Sequence, residues 1–265
     1  MTVQQLFLRQ EKNSSYKAVD ESNTFLTEDE KESILKKELY KKIGEINNKN
    51  YLAAVSVDPI YIIPTFDELY NGLIDELKHE YGWQIDEFNE PVIKTLCYYF
   101  SNNGNFELIE DGYSHKKGIL IIGPVGCGKT TLLKILQRNN FNPFRFVSCR
   151  TVANEYAEHG QTAIKNYSKI QDISKRECFG HSKIGMCFDD LGTESEKKNF
   201  GNQLNVMAEI ILNRYDGSDF KNKTHFTTNM PADEIKQYYG IRATSRMREM
   251  LNIIEIPFNA PDRRK

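Results

Sequence analysis

The sequence predicts an α/β fold built on a five-stranded parallel sheet, and three observations carry that prediction. From Gly118 onward, five short apolar runs alternate with helical patterns, at 119–122, 144–148, 184–188, 224–228 and 253–256. Strands that recur with helices between them need crossover connections, which is the arrangement of a parallel sheet covered by helices. The first run enters a glycine-rich loop, and a helical pattern (Leu132, Leu133, Ile135, Leu136) follows that loop at once. Finally, 265 residues with 39% apolar content suffice for one α/β domain of about 150–200 residues and a smaller appendage. The expected division is a mostly helical, partly disordered N-terminal region over 1–80 and the α/β domain over 81–265.

Residues 1–24 are polar and aperiodic. Thr27 and Glu30 then form a capping-box pattern that opens a charged helix through about residue 47, with Ile34, Leu35, Leu39, Ile43 and Ile46 on one stripe. That stripe either packs on the rest of the chain or docks another protein, and the sequence does not choose. A second capped helix is predicted from Thr65 to His79 and a third over 87–101, where Asn102-Asn103-Gly104-Asn105 breaks the chain. No internal repeat or low-complexity tract is visible.

Five cysteines, none at CxxC spacing, read as reduced core or loop thiols, and five histidines show no paired ligand spacing. A metal is therefore expected to arrive with a ligand rather than in a protein-built cage. The N-terminus lacks an apolar signal core, and no stretch approaches the roughly 18 apolar residues that span a bilayer. The expectation is a cytoplasmic protein with no membrane partner. Net charge is −2 overall, but residues 221–265 carry nine Lys/Arg against five Asp/Glu. A local basic face near the C-terminus is compatible with that imbalance, as is an ordinary solvated surface.

The loop itself reads Gly123-Pro124-Val125-Gly126-Cys127-Gly128-Lys129-Thr130-Thr131. Strand, loop and helix in this order are the context that a phosphate-binding loop requires. Glycines let backbone N–H groups wrap the phosphates and the new helix offers its positive N-terminus. Lys129 would reach the β/γ-phosphates of ATP and the Thr130 hydroxyl would bind Mg²⁺. About sixty residues on, the run 184–188 ends in Asp189 and Asp190. At this spacing Asp189 is the expected Mg²⁺ ligand and Asp190 the group that polarises the attacking water, although an acidic pair after a strand also serves as a helix N-cap. Glutamate is commoner at the second position, and the shorter side chain suggests slow hydrolysis. Asn229, at the end of the run 224–228, is placed as a sensor of the γ-phosphate or the lytic water, with a turn residue as the alternative. Arg242, Arg246 and Arg248 follow on a predicted helix, where Arg242 and Arg246 share one face. A guanidinium inserted from a neighbouring subunit would neutralise charge on the γ-phosphate and make hydrolysis depend on assembly; a plain basic surface helix is the other reading.

With these elements in this order, residues 86–261 resemble the DnaC/IstB-type branch of the AAA+ ATPases, which includes bacterial and phage replicative helicase loaders. The resemblance rests on 123–131, on Phe188-Asp189-Asp190-Leu191-Gly192, on Arg214-Tyr215, on Thr227-Thr228-Asn229-Met230-Pro231 and on the Tyr-Gly-x-Arg-x-x-Ser-Arg-Met run at 239–247. It implies the αβα core of that superfamily, Mg-ATP hydrolysis, and arginine fingers acting between self-associated copies, with Arg246 and, as the second choice, Arg242 in that role. Most members carry a helical lid after this point, but nine residues follow Ile256, so a lid is not expected. The resemblance also implies a hexameric replicative DNA helicase as partner, gripped by residues 1–80, and single-stranded DNA bound by the segment 150–183. Lys165 and Lys169 are the candidate DNA contacts there, with Tyr156, Tyr167 and Phe179 for base stacking. A transposition-helper ATPase of the IstB type shares every catalytic residue named, and a nucleotide-switched adaptor with little hydrolysis fits the aspartate at 190.

Overall fold

The computed structural model describes residues 25–56, 62–175, 177–178, 180–194, 197–199, 202–217 and 221–264. The polar stretch 1–24 lies outside the described residues. The chain divides into two compact units, Met1–Val57 and Asp58–Lys265.

In the first unit, helix α1 runs over Glu28–Ser56, further than the apolar stripe predicts. The Thr27–Glu30 capping box is in place: the Glu30 carboxylate accepts from the Thr27 N–H at 2.9 Å, and the Thr27 hydroxyl accepts from the Glu30 N–H at 3.3 Å. Ile34, Leu35, Leu39, Ile43 and Ile46 are all solvent-exposed.

The second unit begins before the division expected at residue 80. Helix α2 (Phe66–His79) starts with the Thr65–Glu68 capping box, and its Leu73 and Leu77 bury in the same core as Trp83 and helix α3 (Glu90–Phe100). Apolar burial ties α2 to this unit, so it is not part of an N-terminal appendage.

Strands β1 (Gly118–Ile122), β2 (Phe144–Ser148), β4 (Lys183–Leu191), β7 (Thr224–Thr228) and β8 (Leu251–Glu255) form the sheet in the order β2-β4-β7-β1-β8, all parallel. A two-residue strand β3 (Gln171–Asp172) pairs antiparallel with β4. Between the strands lie α4 (Lys129–Leu136), α5 (Cys149–His159), α6 (Gln161–Ser168), α7 (Val206–Asp216) and α8 (Ala232–Met250), with a short hairpin of β5 (Lys197–Asn199) and β6 (Asn202–Leu204) before α7.

The sheet is covered on both faces, which is why β1 reads as a continuous apolar run; β7 is buried as well, its polar side chains hydrogen-bonded, as where His225 Nδ1 accepts from the Ile119 N–H at 3.1 Å. Side-chain alternation along β1 sends Leu120 and Ile122 into one core with Phe188, Phe226, Ile210 and Met247. Ile119 and Ile121 enter the other with Leu132, Phe100 and Ile254. Three layers, helix on sheet on helix, follow directly. The cysteines are free thiols and all five are buried. Arg214 is also buried, donating through Nε to the Thr224 hydroxyl at 2.8 Å and through Nη1 and Nη2 to the Tyr167 and Lys223 carbonyls at 2.8 and 2.9 Å. It joins α7 to the entry of β7 and the end of α6, a structural duty that its fork of donors suits.

Candidate functional site

The parallel register sets the C-terminal ends of β1, β4 and β7 side by side, where ligand crevices form in open α/β sheets. The glycine-rich loop leaves β1 there, anchored by the Gly123 N–H donating to the Thr228 carbonyl at 3.2 Å. Two of its glycines need their freedom. Gly126 and Gly128 have φ of 80° and 102°, and a Cβ on either would lie 2.0 Å from the Asp262 carboxylate or 1.9 Å from the Trp83 ring. Gly128 caps α4, so the free N–H groups of the helix start face the cavity.

Lys129, 4% exposed, donates through Nζ to the Gly123 and Pro124 carbonyls at 2.9 and 2.8 Å and to Asn229 Oδ1 at 2.6 Å. The Cys127 thiol lies 3.8 Å from the same nitrogen. Burial pulls the Lys129 pKa down, opposed by Cys127, Asp190 and Asp189. A phosphate oxygen would take up the donor capacity now spent on the two loop carbonyls.

Thr130 donates to Asp189 Oδ1 at 2.8 Å, and the Thr227 hydroxyl from β7 donates to the same oxygen at 2.6 Å. Thr227 Oγ1 also accepts from the Asp190 N–H at 2.9 Å. Successive side chains of a regular strand point to opposite faces. Here the β4–β7 register shifts between Phe188 and Leu191, and Asp190 adopts φ 55°, a left-handed geometry that costs about 1–2 kcal/mol outside glycine. The irregularity lets Asp189 meet Thr130 while Asp190 lines the cavity. Burial, and then the neighbouring Asp189, raise the Asp190 pKa; Lys129, Arg150 and a hydrogen bond with Asn229 oppose the rise.

These groups converge on a cavity of about 580 Å³, lined by Val125, Gly126, Gly128, Lys129, Thr130, Thr131, Asp190 and Asn229. Its other wall is Glu80, Tyr81, Trp83, Arg263 and Arg264, none of which carries a motif. The donor set fits a magnesium nucleotide. A threonine hydroxyl already paired with a carboxylate supplies the hard oxygens that Mg²⁺ takes, and the Cβ-free loop leaves room for phosphate oxygens against its N–H groups. Thr130 and Asp189 would hold the ion; Lys129, Gly126, Gly128 and Thr131 would hold the phosphates.

The remaining sequence candidates lie elsewhere. Arg242 is exposed, and neither it nor Arg246 lines the cavity. Arg246 donates to the Tyr215 hydroxyl at 3.0 Å and to Glu249 at 3.1 Å, its guanidinium 4.2 Å from the Tyr215 ring centroid. Both arginines follow a break in α8 at Gly240, φ 82°. Lys165 and Lys169 are exposed on and just after α6. Of the aromatics expected beside them, Tyr156 is buried in the core, and the half-buried Tyr167 packs edge-on against Phe188 with its hydroxyl on Glu155. Phe179 lies outside the described residues.

Known proteins share parts of this chain. The family model for the ATPase family associated with various cellular activities (AAA) matches residues 119–251. The spermidine/putrescine import ATP-binding proteins PotA of Borreliella afzelii (strain PKo) and of Borrelia garinii subsp. bavariensis are 52% and 50% identical over 46 residues. That stretch is 17% of this chain and 13% of either relative. Among solved structures, AMPPCP-bound DnaA from Aquifex aeolicus is 17% identical with a TM-score of 0.42, covering 66% of this chain and 48% of that one. A DNA replication initiation factor is 16% identical with a TM-score of 0.40, covering 66% and 47%. The family match spans the strand, loop and helix of the phosphate cradle, both acidic residues, the Asn229 position and both arginines, about half of the sequence; the chain belongs to the AAA ATPase family.

Proposed function

We propose that this protein is an ATP-dependent loader of a hexameric replicative DNA helicase, hydrolysing Mg-ATP at a site that a neighbouring copy completes. One observation carries the reading of the site. The phosphate loop, Lys129, Thr130, Asp190 and Asn229 line a single cavity, with Asp189 held behind it on the Thr130 hydroxyl, whereas Arg246 stands on the molecular surface against Tyr215 and Glu249. Mg²⁺ bound there would neutralise charge on the phosphate oxygens. Lys129 holds the γ-phosphate, Asn229 turns from Lys129 to the phosphate or the water, and Asp190 orients the attacking water for in-line displacement. Arg246 of a second copy supplies the remaining positive charge, with Arg242 as the alternative.

The loader reading rests on the motif order and on α1. A helix with five large apolar residues exposed along one stripe resembles the helices that dock in grooves of a partner. Single-stranded DNA would lie along α6, where Lys165 and Lys169 contact phosphates. With Tyr156 and Tyr167 occupied in the fold, its affinity would be mainly electrostatic and fall with salt. Mixing the full-length chain with its cognate helicase and separating the products by size tests the assignment. Co-elution of wild type, lost in Leu39→Asp/Ile43→Asp without loss of ATP binding, is expected. Co-elution unchanged in that variant removes the stripe as the contact, and wild type that never co-elutes removes the loader reading.

A further inference from the structure

The segment 257–264 leaves β8 and crosses the phosphate loop, where the Arg263 N–H donates to the Gly126 carbonyl at 2.9 Å. The Arg263 side chain is fixed to the opposite wall. Its Nη2 lies 2.8 Å from both Asp86 carboxylate oxygens, Nη1 donates to the Gln84 carbonyl at 3.3 Å, and the guanidinium sits 5.4 Å from the Trp83 ring centroid. That side chain is 8% exposed, and an ion pair so enclosed holds one geometry. Arg263 therefore places its neighbour.

Arg264 is the solvent-facing member of the pair. It lines the same cavity as Lys129 and Thr130, its side chain is 64% exposed, and its only partner among the described residues is Asp262, reached from Nε at 3.0 Å and Nη2 at 2.6 Å. Asp262 in turn lies against the phosphate loop, its carboxylate 2.0 Å from where a Gly126 Cβ would stand. An unpaired carboxylate at that point would repel a polyphosphate. Arg264 cancels the charge and keeps Nη1 for an incoming oxygen.

We propose that Arg264 is a phosphate-binding residue supplied in cis by this strap, its guanidinium spanning Asp262 and an oxygen of the bound triphosphate. The assignment rests on the reading of the cavity as a triphosphate cradle. A planar fork that serves two anions at once is a task for arginine and not for lysine.

Equilibrium binding of radiolabelled ATP to the full-length chain tests it, with inorganic tripolyphosphate as competitor. The fluorescence of Trp83, the one tryptophan in the sequence, gives a second readout. Arg264→Gln is expected to weaken ATP and tripolyphosphate alike by about tenfold. Arg264→Lys is expected to recover only part of that loss, and Asp262→Asn, which releases the guanidinium, to bind ATP at least as tightly as wild type. Wild-type ATP affinity in Arg264→Gln, or a loss for ATP with none for tripolyphosphate, overturns the proposal. Lys129→Ala separates a failure of the strap from a failure of the cradle. If it abolishes binding while Arg264→Gln binds ATP like wild type, only the strap assignment fails; if Lys129→Ala itself binds ATP like wild type, the cradle fails with it.

Discussion

Thr227 serves two acids through one hydroxyl, donating to Asp189 and accepting from the Asp190 N–H. That arrangement fixes the irregular end of β4, where Asp190 lines the cavity, as its proposed role toward the attacking water requires. Partial burial, and then a second carboxylate one residue away, disfavour the charged form of Asp190. The sign of the pH dependence follows. A raised pKa means that the ionised Asp190 needed to polarise water accumulates only above the ordinary aspartate value of about 3.9. The turnover rate should fall as pH drops, with a midpoint above that value, while Asp190→Asn should show a low, flat rate with no such limb. A wild-type profile without an acid limb, or the same limb in Asp190→Asn, speaks against Asp190 as the base. Lys129, Thr130, Asp189 and Asp190 were legible in the sequence because each belongs to a contiguous motif at the end of an apolar run. Trp83 and Arg263 were not legible. They meet across about 180 residues of chain, a distance that no local spacing encodes.

At the scale of elements, Glu194 links the acidic end of β4 to the arginine-bearing part of α8. It is 4% exposed; its Oε2 accepts from the Gly192 N–H at 2.9 Å and its Oε1 from the Tyr239 hydroxyl. The Tyr238 hydroxyl donates to its backbone carbonyl at 2.6 Å. Tyr239 directly precedes the break at Gly240, beyond which Arg242 and Arg246 stand. In Glu194→Gln the side chain offers one acceptor to two donors and leaves one of them unmet, at a cost of about 1–3 kcal/mol. The urea midpoint should fall, and hydrolysis should drop with ATP affinity unchanged. Hydrolysis that stays at the wild-type rate would remove Glu194 from the path between site and arginines. The capping boxes at Thr27 and Thr65 were readable in advance because they are local side-chain bonds to the backbone. The roles of Tyr156 and Tyr167 were not, because an aromatic between lysines looks the same whether it faces solvent or the core.

The whole molecule divides at 57/58 rather than at 80, since the apolar face of α2 finds its partners in α3 and the loop at Trp83. The cap at Thr65 announced α2, but no local spacing says which surface covers its apolar side. The parallel sheet was legible, since a strand covered on both faces, such as β1, is apolar throughout. In the proposed assembly, the cis phosphate cradle of one copy receives a cation from the next. Arg246→Ala should retain ATP affinity yet lose hydrolysis on the order of 10³-fold, as removal of a transition-state arginine does. Asp190→Asn should retain affinity and lose turnover at its own site. The most direct measurement is therefore phosphate release from mixtures of these two variants, set against each alone and against wild type over a range of protein concentration. Wild-type activity per chain should rise with concentration, and mixing should restore part of it, because some interfaces then pair an intact Asp190 with an intact Arg246. Mixtures that co-assemble but release no more phosphate than the separate variants would contradict the intersubunit site and return Arg246 to its own chain.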